Sequence, residues 1–417
     1  MFQSLRIPDY RLLWVSSACA AFGTQMLNIA RGWLIYDMTQ SPMALTWVML
    51  SFMLPAALFS IVGGVIADRM SKKRVMIISQ LVNAMATFWL AYITFIGEVT
   101  FWHFIYIGIF SGAVGSLSMP ARFAFVPEVV GDENLVNATA LQTATYNLSR
   151  IAGPMLAGGM IALFAAGNTS STQGVGLVFF IIFIILLVSA LLIMFLEHKG
   201  DPSSKPKTSP LEDVREGFQF VRDEKLILGL MIMGFAPSAF GASVNFLLPA
   251  FNQDVLGGGP DDLGMLNAGM GIGALLGSML LARLGDFSGK GRVMFQASYG
   301  WAVAIALFAL TENLYIAMFV GAFTAFFYSL FGSLNMSVTQ MATPQHIRGR
   351  VMSLTLMIHG LMPLGVIPVG VMAELFGVKA AFLFSAAMLA LTVWLLNVIF
   401  PEIKRIDRGH QVSETKP

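Results

Sequence analysis

Long runs of apolar residues, separated by short polar stretches, dominate the pattern along the chain. A membrane-spanning helix needs about 20 such residues, and twelve runs are long enough: 11–36, 43–67, 75–96, 101–121, 135–165, 175–196, 225–250, 262–284, 293–310, 313–336, 351–373 and 378–400. Lipid offers the backbone no hydrogen bonds, so only helices or closed barrels can span it. Continuous runs such as 179–195 lack the alternation of a barrel strand. The pattern therefore predicts an all-α membrane protein with twelve transmembrane helices.

The composition agrees with this prediction and excludes several classes of protein. Of the 417 residues, 56% are hydrophobic and only 12% are charged, about half the charged share of soluble domains. A net charge of +2 does not favour nucleic acid as a partner. The sequence shows no Walker loop and no Cys/His cluster, so we expect no enzyme, no catalytic residue, no cofactor and no metal.

The positions of the cations predict the orientation. If both termini are cytoplasmic, 22 of the 25 Lys and Arg residues fall in inner segments; only Lys379 falls in an outer loop, while Arg31 and Arg150 fall within spans. Cytoplasmic loops of membrane proteins carry such an excess of Lys and Arg. An odd number of spans would destroy this alternation, so the bias also supports the count of twelve.

A polar stretch from 197 to 224 divides the spans six and six. We therefore expect a six-helix bundle over 1–196, a second over 225–400 and a cytoplasmic tail over 401–417. Ser209, Pro210 and Glu212 predict a helix start. The apolar positions that follow predict an amphipathic helix on the cytoplasmic surface, and a brace between the halves is a simpler interpretation of it than a regulatory device.

The two halves have glycines and prolines at matching positions. Span five contains Gly153, Pro154, Gly158 and Gly159, and its counterpart, span eleven, contains Gly360, Pro363, Gly365, Pro368 and Gly370. Duplicated halves with Gly/Pro-rich helices at matching positions are typical of secondary transporters. Chance is the alternative, because both residues are common in membrane helices.

One loop motif is specific enough to suggest a family. The segment from Gly64 to Arg74 reads GVIADRMSKKR and resembles the G-x-x-x-D-R-x-G-R/K-R/K loop of the major facilitator superfamily, with Ser71 replacing a glycine. Further segments resemble the enterobactin exporter and macrolide efflux branch of that superfamily: 9–11, 33–37 with 41–42, 127–128, 150–154 and 348–351. The resemblance covers nearly the whole chain and implies two six-helix bundles that rock about a central site.

The resemblance also implies a cytoplasmic gate. Its predicted members are Gly64, Asp68, Arg69, Lys72, Lys73, Glu128, Arg348 and Arg350. In the family the aspartate contacts the start of span eleven, and here Arg69 is expected to pair with Glu128. For Lys72, Lys73 and Arg74 we favour a simpler role as topology anchors near anionic lipid.

A second motif concerns helix packing. Gly153, Pro154 and Gly158 resemble the span-five pattern of the family's antiporters, which implies export. Small residues let helix backbones approach. In span eight, Gly269, Gly273 and Gly277 recur every four residues, so we expect this face to meet span five.

Polar residues within the spans are few, and they nominate a substrate site: Gln25, Asn28, Gln142, Asn147, Arg150, Asn245 and His359. Arg150 lies about 22 Å along its helix from Leu135 at 1.5 Å per residue, so it is deep in the membrane and should face the interior. It is either an anion contact or latch, or a structural partner of nearby amides and carbonyls.

The resulting hypothesis is a bacterial inner-membrane exporter of an amphipathic small molecule, such as a drug-like compound or siderophore. We expect a monomer that works by alternating access and exchanges its substrate for a proton or another coupling ion, with lipid as its other partner. No acidic residue lies well inside a span, so proton antiport is implied by the resemblance alone. The alternatives are a nutrient or organic-solute importer, and a lipid flippase or non-transporting scaffold.

Overall fold

The computed structural model is built of α-helices, as the apolar runs predict. It describes residues 3–165, 171–198, 200, 210–285, 287–345, 347–359 and 362–406, but not the side chains of 60–69, 119–120, 123–124, 132, 210–215, 353, 356–359 and 363–364. The helices are α1 (Pro8–Thr39), α2 (Pro42–Arg69), α3 (Lys72–Phe95), α4 (Phe101–Phe164), α5 (Thr172–Met194), α6 (Pro210–Asp223), α7 (Lys225–Gly241), α8 (Ser243–Phe246), α9 (Leu248–Asp254), α10 (Pro260–Leu284), α11 (Lys290–Ala309), α12 (Leu314–Ala342), α13 (Arg348–His359), α14 (Pro363–Phe376) and α15 (Val378–Ile399). These described residues contain no strand, and the all-α fold class is confirmed.

Ten of the helical segments in the described residues are long and apolar enough to cross a membrane. The two other predicted spans correspond to less regular elements. Predicted span five is the second arm of α4, which bends at Gly131 because that residue has φ 70° and ψ 166°. Predicted span eleven is divided between α13 and α14, whose apolar part, Gly365–Phe376, is short.

Local sequence signals set several helix ends. Pro8 stands in the first turn of α1, where its missing N–H is no loss. The Asn313 side chain caps α12 by accepting hydrogen bonds from the backbone N–H groups of Tyr315 and Ile316. These caps place polar residues at the ends of the apolar segments.

The chain forms two compact units. Unit 1 comprises Met1–Pro206 and Gly257–Ala268, and unit 2 comprises Lys207–Leu256 and Gly269–Pro417. The first turns of α10 therefore belong to unit 1 and its remainder to unit 2.

Helix pairing within unit 1 depends on close backbone approach. A Cβ at Gly112 of α4 would overlap the Phe52 carbonyl of α2, and one at Gly153 would come within 2.8 Å of the Gln25 Cβ of α1. The third pair joins α3 to the chain after α5, because the backbone N–H of Lys72 donates to the carbonyl of Gly200 at 2.9 Å.

Unit 2 repeats these three pairings. A Cβ at Gly273 of α10 would overlap the Ala322 carbonyl of α12, and one at Gly365 of α14 would come within 2.6 Å of the Ala239 carbonyl of α7. The Gly291 N–H at the start of α11 donates to the carbonyl of Ile406 after α15, at 3.4 Å. The same pairs of spans thus meet in both halves.

A short sequence repeat marks one of the matched positions. Residues 72–76 read KKRVM at the start of α3, and residues 290–294 read KGRVM at the start of α11. Both first lysines are buried, with 8% of Lys72 and 4% of Lys290 exposed. The duplication therefore extends to individual side chains at these helix starts.

Lys379, the cation predicted for an outer loop, is neutralised by its neighbour. Its ammonium lies 2.5 Å from a carboxylate oxygen of Glu312. The hydrogen bond and the positive charge lower the pKa of the Glu312 carboxyl. Because the two side chains are 44% and 74% exposed, solvent screens their charges and this pair adds little to stability.

Candidate functional site

An ion pair joins α3 and α4 at one end of unit 1. The Lys72 ammonium lies 2.7 Å from a carboxylate oxygen of Glu128, and its side chain is 11% exposed, against 36% for Glu128. The imidazole of His198 lies 3.5 Å from the other oxygen and forms an ion pair when protonated. A cation this buried needs a compensating charge, and Glu128 supplies it.

Further hydrogen bonds fasten the chain after α5 to the same end. The Lys73 ammonium donates to the carbonyl oxygen of Leu196 at 2.5 Å. The carboxylate of Asp9 accepts the backbone N–H groups of Glu197 and His198 at 3.0 and 2.8 Å. The starts of α1 and α3 are thereby tied to the end of the last helix of this half. We call Asp9, Lys72, Lys73, Glu128 and His198 the inner cluster.

The inner cluster differs in part from the predicted gate. The side chains of Asp68 and Arg69 and the surroundings of Gly64 lie outside the described residues, so the expected pairing of Arg69 with Glu128 stays a prediction. The observed partner of Glu128 is Lys72. Lys72 and Lys73 bind protein oxygens, so they do more than anchor the loop to lipid, the role that the sequence favours. They reach these oxygens because the start of α3 is buried beneath the chain after α5.

The other predicted gate residues lie in unit 2. An Arg350 guanidinium nitrogen is 2.6 Å from a carboxylate oxygen of Glu216 on α6. The Arg348 guanidinium donates to the Thr343 carbonyl at 3.2–3.3 Å. The amphipathic helix α6 therefore docks on α13, and a Cβ at Gly217 would approach Leu354 to 3.0 Å.

We expect Glu128→Gln to destabilise the protein by about 1–3 kcal/mol, because a buried ammonium then faces a neutral amide. Thermal unfolding of the detergent-purified protein measures this loss. Adding Lys72→Gln should recover much of it.

The Lys379–Glu312 pair provides the matched control. The corresponding cycle of Lys379→Gln and Glu312→Gln should give a smaller coupling energy, since these side chains are 44% and 74% exposed, against 11% and 36% for Lys72 and Glu128, and solvent screens their charges more. Equal coupling energies for the two pairs would contradict a stabilising role for burial of Lys72.

The second arm of α4 lies against α1. The indole N–H of Trp14 donates to the Thr145 hydroxyl at 3.0 Å, the Tyr10 hydroxyl donates to the Ala138 carbonyl at 2.8 Å, and Gly153 contacts Gln25. The two segments run parallel, because positions rising along α1 meet positions rising along α4. The structure thus brings together the two segments that carry most predicted substrate residues.

The polar side chains on these segments keep hydrogen-bonding capacity. Gln25, Gln142, Asn147 and Arg150 are half-buried, and Asn28 is exposed. The Gln142 side-chain nitrogen is buried without a hydrogen-bond partner among the described residues. Within the described part of unit 1, Arg150 forms no ion pair. The half-buried Arg150 can therefore meet a polar ligand, while the buried Gln142 nitrogen is a donor left unsatisfied by the described residues.

Two more predicted substrate residues lie in unit 2. Asn245 of α8 is exposed, and the side chain of His359 lies outside the described residues. A polar residue that sequence analysis missed is Asn335 of α12, which is buried and donates to the Leu230 carbonyl at 3.0 Å. Its contact with α7 makes it a structural residue.

Glycines of the second packing motif form a reciprocal contact within unit 1. A Cβ at Gly158 would overlap the carbonyl oxygen of Pro260, and one at Gly264 would lie 2.6 Å from that of Pro154. The second arm of α4 and the first turns of α10 therefore touch backbone to backbone.

The predicted partner of the span-eight glycines is wrong. Gly269, Gly273 and Gly277 face Met318, Ala322 and Phe326 of α12. Within the described residues, the start of α10 reaches α4 through Pro260 and Gly264. A stripe of small residues shows that a face is closely packed but does not identify the helix that packs on it.

Three residues near the inner cluster were not predicted. His198 contacts Glu128, Asp9 caps the chain after α5, and the Arg122 guanidinium donates to the Ser17 hydroxyl of α1 at 2.7 Å. The repeated KxRVM segment could have pointed to this region, because it marks the helix starts around which these side-chain contacts form.

Comparison with known proteins gives consistent matches. The family described as transmembrane secretion effector matches residues 1–415. The multidrug efflux pump Tap of Mycolicibacterium fortuitum is 26% identical over 95% of this chain and 96% of its own. The enterobactin exporter EntS of Shigella boydii is 26% identical over 82% and 80%, and macrolide efflux protein A of Streptococcus pyogenes is 23% identical over 95% and 96%.

A solved structure has the same fold. The nucleoside transporter NupG matches with a TM-score of 0.72 at 15% identity, over 94% of this chain and 99% of that one. At this identity the likeness concerns the fold alone.

Proposed function

Because the chain belongs to the transmembrane secretion effector family of the major facilitator superfamily, we propose that it exports an amphipathic small molecule, such as a drug-like compound or a siderophore. The observation that carries the proposal is the likeness to efflux and export proteins over 82–95% of the chain. The membrane-spanning helices and the repeated halves suit alternating access, in which two bundles rock about a shared site.

The substrate class follows from the polar groups of α1 and the second arm of α4. Apolar walls with a few polar groups suit an amphipathic compound. Arg150 adds a positive charge that no described residue of unit 1 neutralises, and a deep, uncompensated arginine favours an anionic group on the substrate. We assign Gln25, Asn28, Gln142, Asn147 and Arg150 to its contacts.

The energy source in this proposal is an ion gradient, with the proton as the coupling ion. Both termini lie on the cytoplasmic side, as the cation distribution indicates. Transport into or out of vesicles, with and without a pH gradient, tests the coupling. Gradient-dependent efflux supports it; gradient-driven accumulation of a nutrient, or movement of lipid alone, would favour an importer or a flippase.

Arg150→Ala is expected to lower efflux of an anionic siderophore about 10- to 100-fold, because a charge-assisted hydrogen bond contributes about 1.5–3 kcal/mol. Efflux of a cationic dye by the same variant should change little. Efflux assays in cells that express equal amounts of protein measure both.

Arg222 of α6 offers the control, since its side chain is exposed and Arg222→Ala should affect neither compound. If the Arg150 variant loses both activities equally, Arg150 is a structural brace and the anion contact is wrong.

A further inference from the structure

The two halves differ in sequence at one position near these helix starts. In unit 1 the buried Lys72 at the start of α3 pairs with Glu128. In the repeat, Lys290 takes the place of Lys72, and Pro344–Gln345 takes the place of Pro127–Glu128. The carboxylate of unit 1 thus becomes a neutral amide in unit 2.

Two further cations stand near the start of α11. Arg292 lies in its first turn, and Lys404 lies in the 3-10 helix Pro401–Arg405 that follows α15. Both side chains are exposed, and among the described residues neither forms an ion pair or a hydrogen bond. Arg292 and Lys404 therefore present positive charge that the described protein groups leave uncompensated.

A groove opens between these two cations. It has a volume of about 330 Å³ and is lined by Arg292, Phe295, Gln296, Tyr299 and Lys404. The Lys404 ammonium lies over the Phe295 ring, 5.7 Å from its centre, which keeps the charge at the rim. Tyr299 lies seven residues after Arg292, about 10 Å further along the helix at 1.5 Å per residue.

We propose that this groove, the lipid groove, binds an anionic phospholipid, with the phosphodiester between Arg292 and Lys404 and an acyl chain along the half-buried Tyr299. The two positive charges favour an anionic lipid over a neutral one, because cations at the end of a membrane-spanning helix attract anionic headgroups. The apolar lining favours a lipid over a free phosphate, because an acyl chain can contact the Tyr299 ring and a free phosphate has no apolar part to place there. On the proposed orientation this lipid belongs to the inner leaflet.

Native mass spectrometry of the delipidated full-length protein tests the site. Phosphatidylglycerol or phosphatidylcholine is added in turn, and the bound fraction is measured. We expect retention of phosphatidylglycerol, and an affinity lower by about 30-fold in R292Q/K404Q, since each cation near a membrane surface contributes about a factor of five. The conservative variant R292K/K404R should keep most of the binding, which separates loss of charge from misfolding.

A charge-matched control uses two exposed cations outside the groove, as R222Q/R283Q. If this control loses as much phosphatidylglycerol as R292Q/K404Q, the attraction is diffuse and the lipid groove is wrong. Equal binding of phosphatidylcholine by the wild-type protein would also overturn the proposal. Displacement of the lipid by inorganic phosphate or glycerophosphate at the same concentration would show a phosphate site instead.

Discussion

Gly158→Val is expected to reduce export about 10- to 100-fold while the protein still inserts in the membrane. A side chain at this position would overlap the Pro260 carbonyl oxygen and lie 3.2 Å from the Asp261 Cα. The second arm of α4 and the first turns of α10 must then separate. Overpacking of this kind costs about 1–3 kcal/mol, and alternating access requires that the conformation with this contact be populated.

The neighbouring glycine supplies a matched control. A Cβ at Gly159 meets nothing within 4 Å, so Gly159→Val changes hydrophobicity and helix propensity equally without the overlap. Its efflux of the compound that the wild-type protein exports best should stay within about twofold of wild type, allowing about 0.4 kcal/mol for a surface change. Wild-type export by Gly158→Val would show that close contact between these segments is not part of the transport cycle.

The fold was largely predictable because lipid imposes a simple rule. A segment that crosses it needs about 20 apolar residues and must satisfy its own backbone. Those requirements are visible in one sequence, as the all-α class shows. The rule does not predict where a span is interrupted or joined to the next. Predicted span eleven is divided between α13 and α14, and predicted spans four and five form one helix, α4, with a bend at Gly131.

The side-chain contacts were harder to predict from the sequence than the helices. The loop motif suggested Arg69 for Glu128, which stays a prediction because the Arg69 side chain lies outside the described residues, and it did not suggest the Lys72–Glu128 ion pair that the structure shows. Lys72 and Lys73 are neighbours with side chains of equal length, yet Lys72 meets Glu128 of α4 while Lys73 donates to the Leu196 carbonyl. The direction of the α3 start sets which of the two lysines meets α4. Such a direction depends on the packing of the whole unit, which no local pattern encodes.

The duplicated halves explain why some sites differ between them. Each half needs the same three helix pairings, so the glycines and the buried first lysine are retained. The acidic residue is not retained: Glu128 pairs with Lys72 in unit 1, while the sequence of unit 2 has Gln345 after the matching proline. A repeat therefore predicts backbone contacts better than it predicts electrostatics.

Gly273→Val is expected to cause a larger loss of stability than any polar substitution considered above, at about 3 kcal/mol or more. Gly273 is buried, and a Cβ there would overlap the Ala322 carbonyl and lie 2.6–2.7 Å from the Ala322 carbonyl carbon and Cα. Because the obstructing atoms belong to the backbone, no rotamer change in α12 can relieve the overlap. Thermal unfolding and the monodisperse yield after detergent extraction measure the effect.

Two variants distinguish this explanation from a general intolerance of valine. Gly332 of α12 has nothing within 4 Å of an added Cβ, so Gly332→Val should keep the wild-type melting temperature within a few degrees. Adding Ala322→Gly to Gly273→Val removes only a methyl group and should not restore stability, since the clash is with the carbonyl. Full rescue by Ala322→Gly would mean that side-chain volume limits the approach of α10 to α12, and that the backbone contact between them is not close.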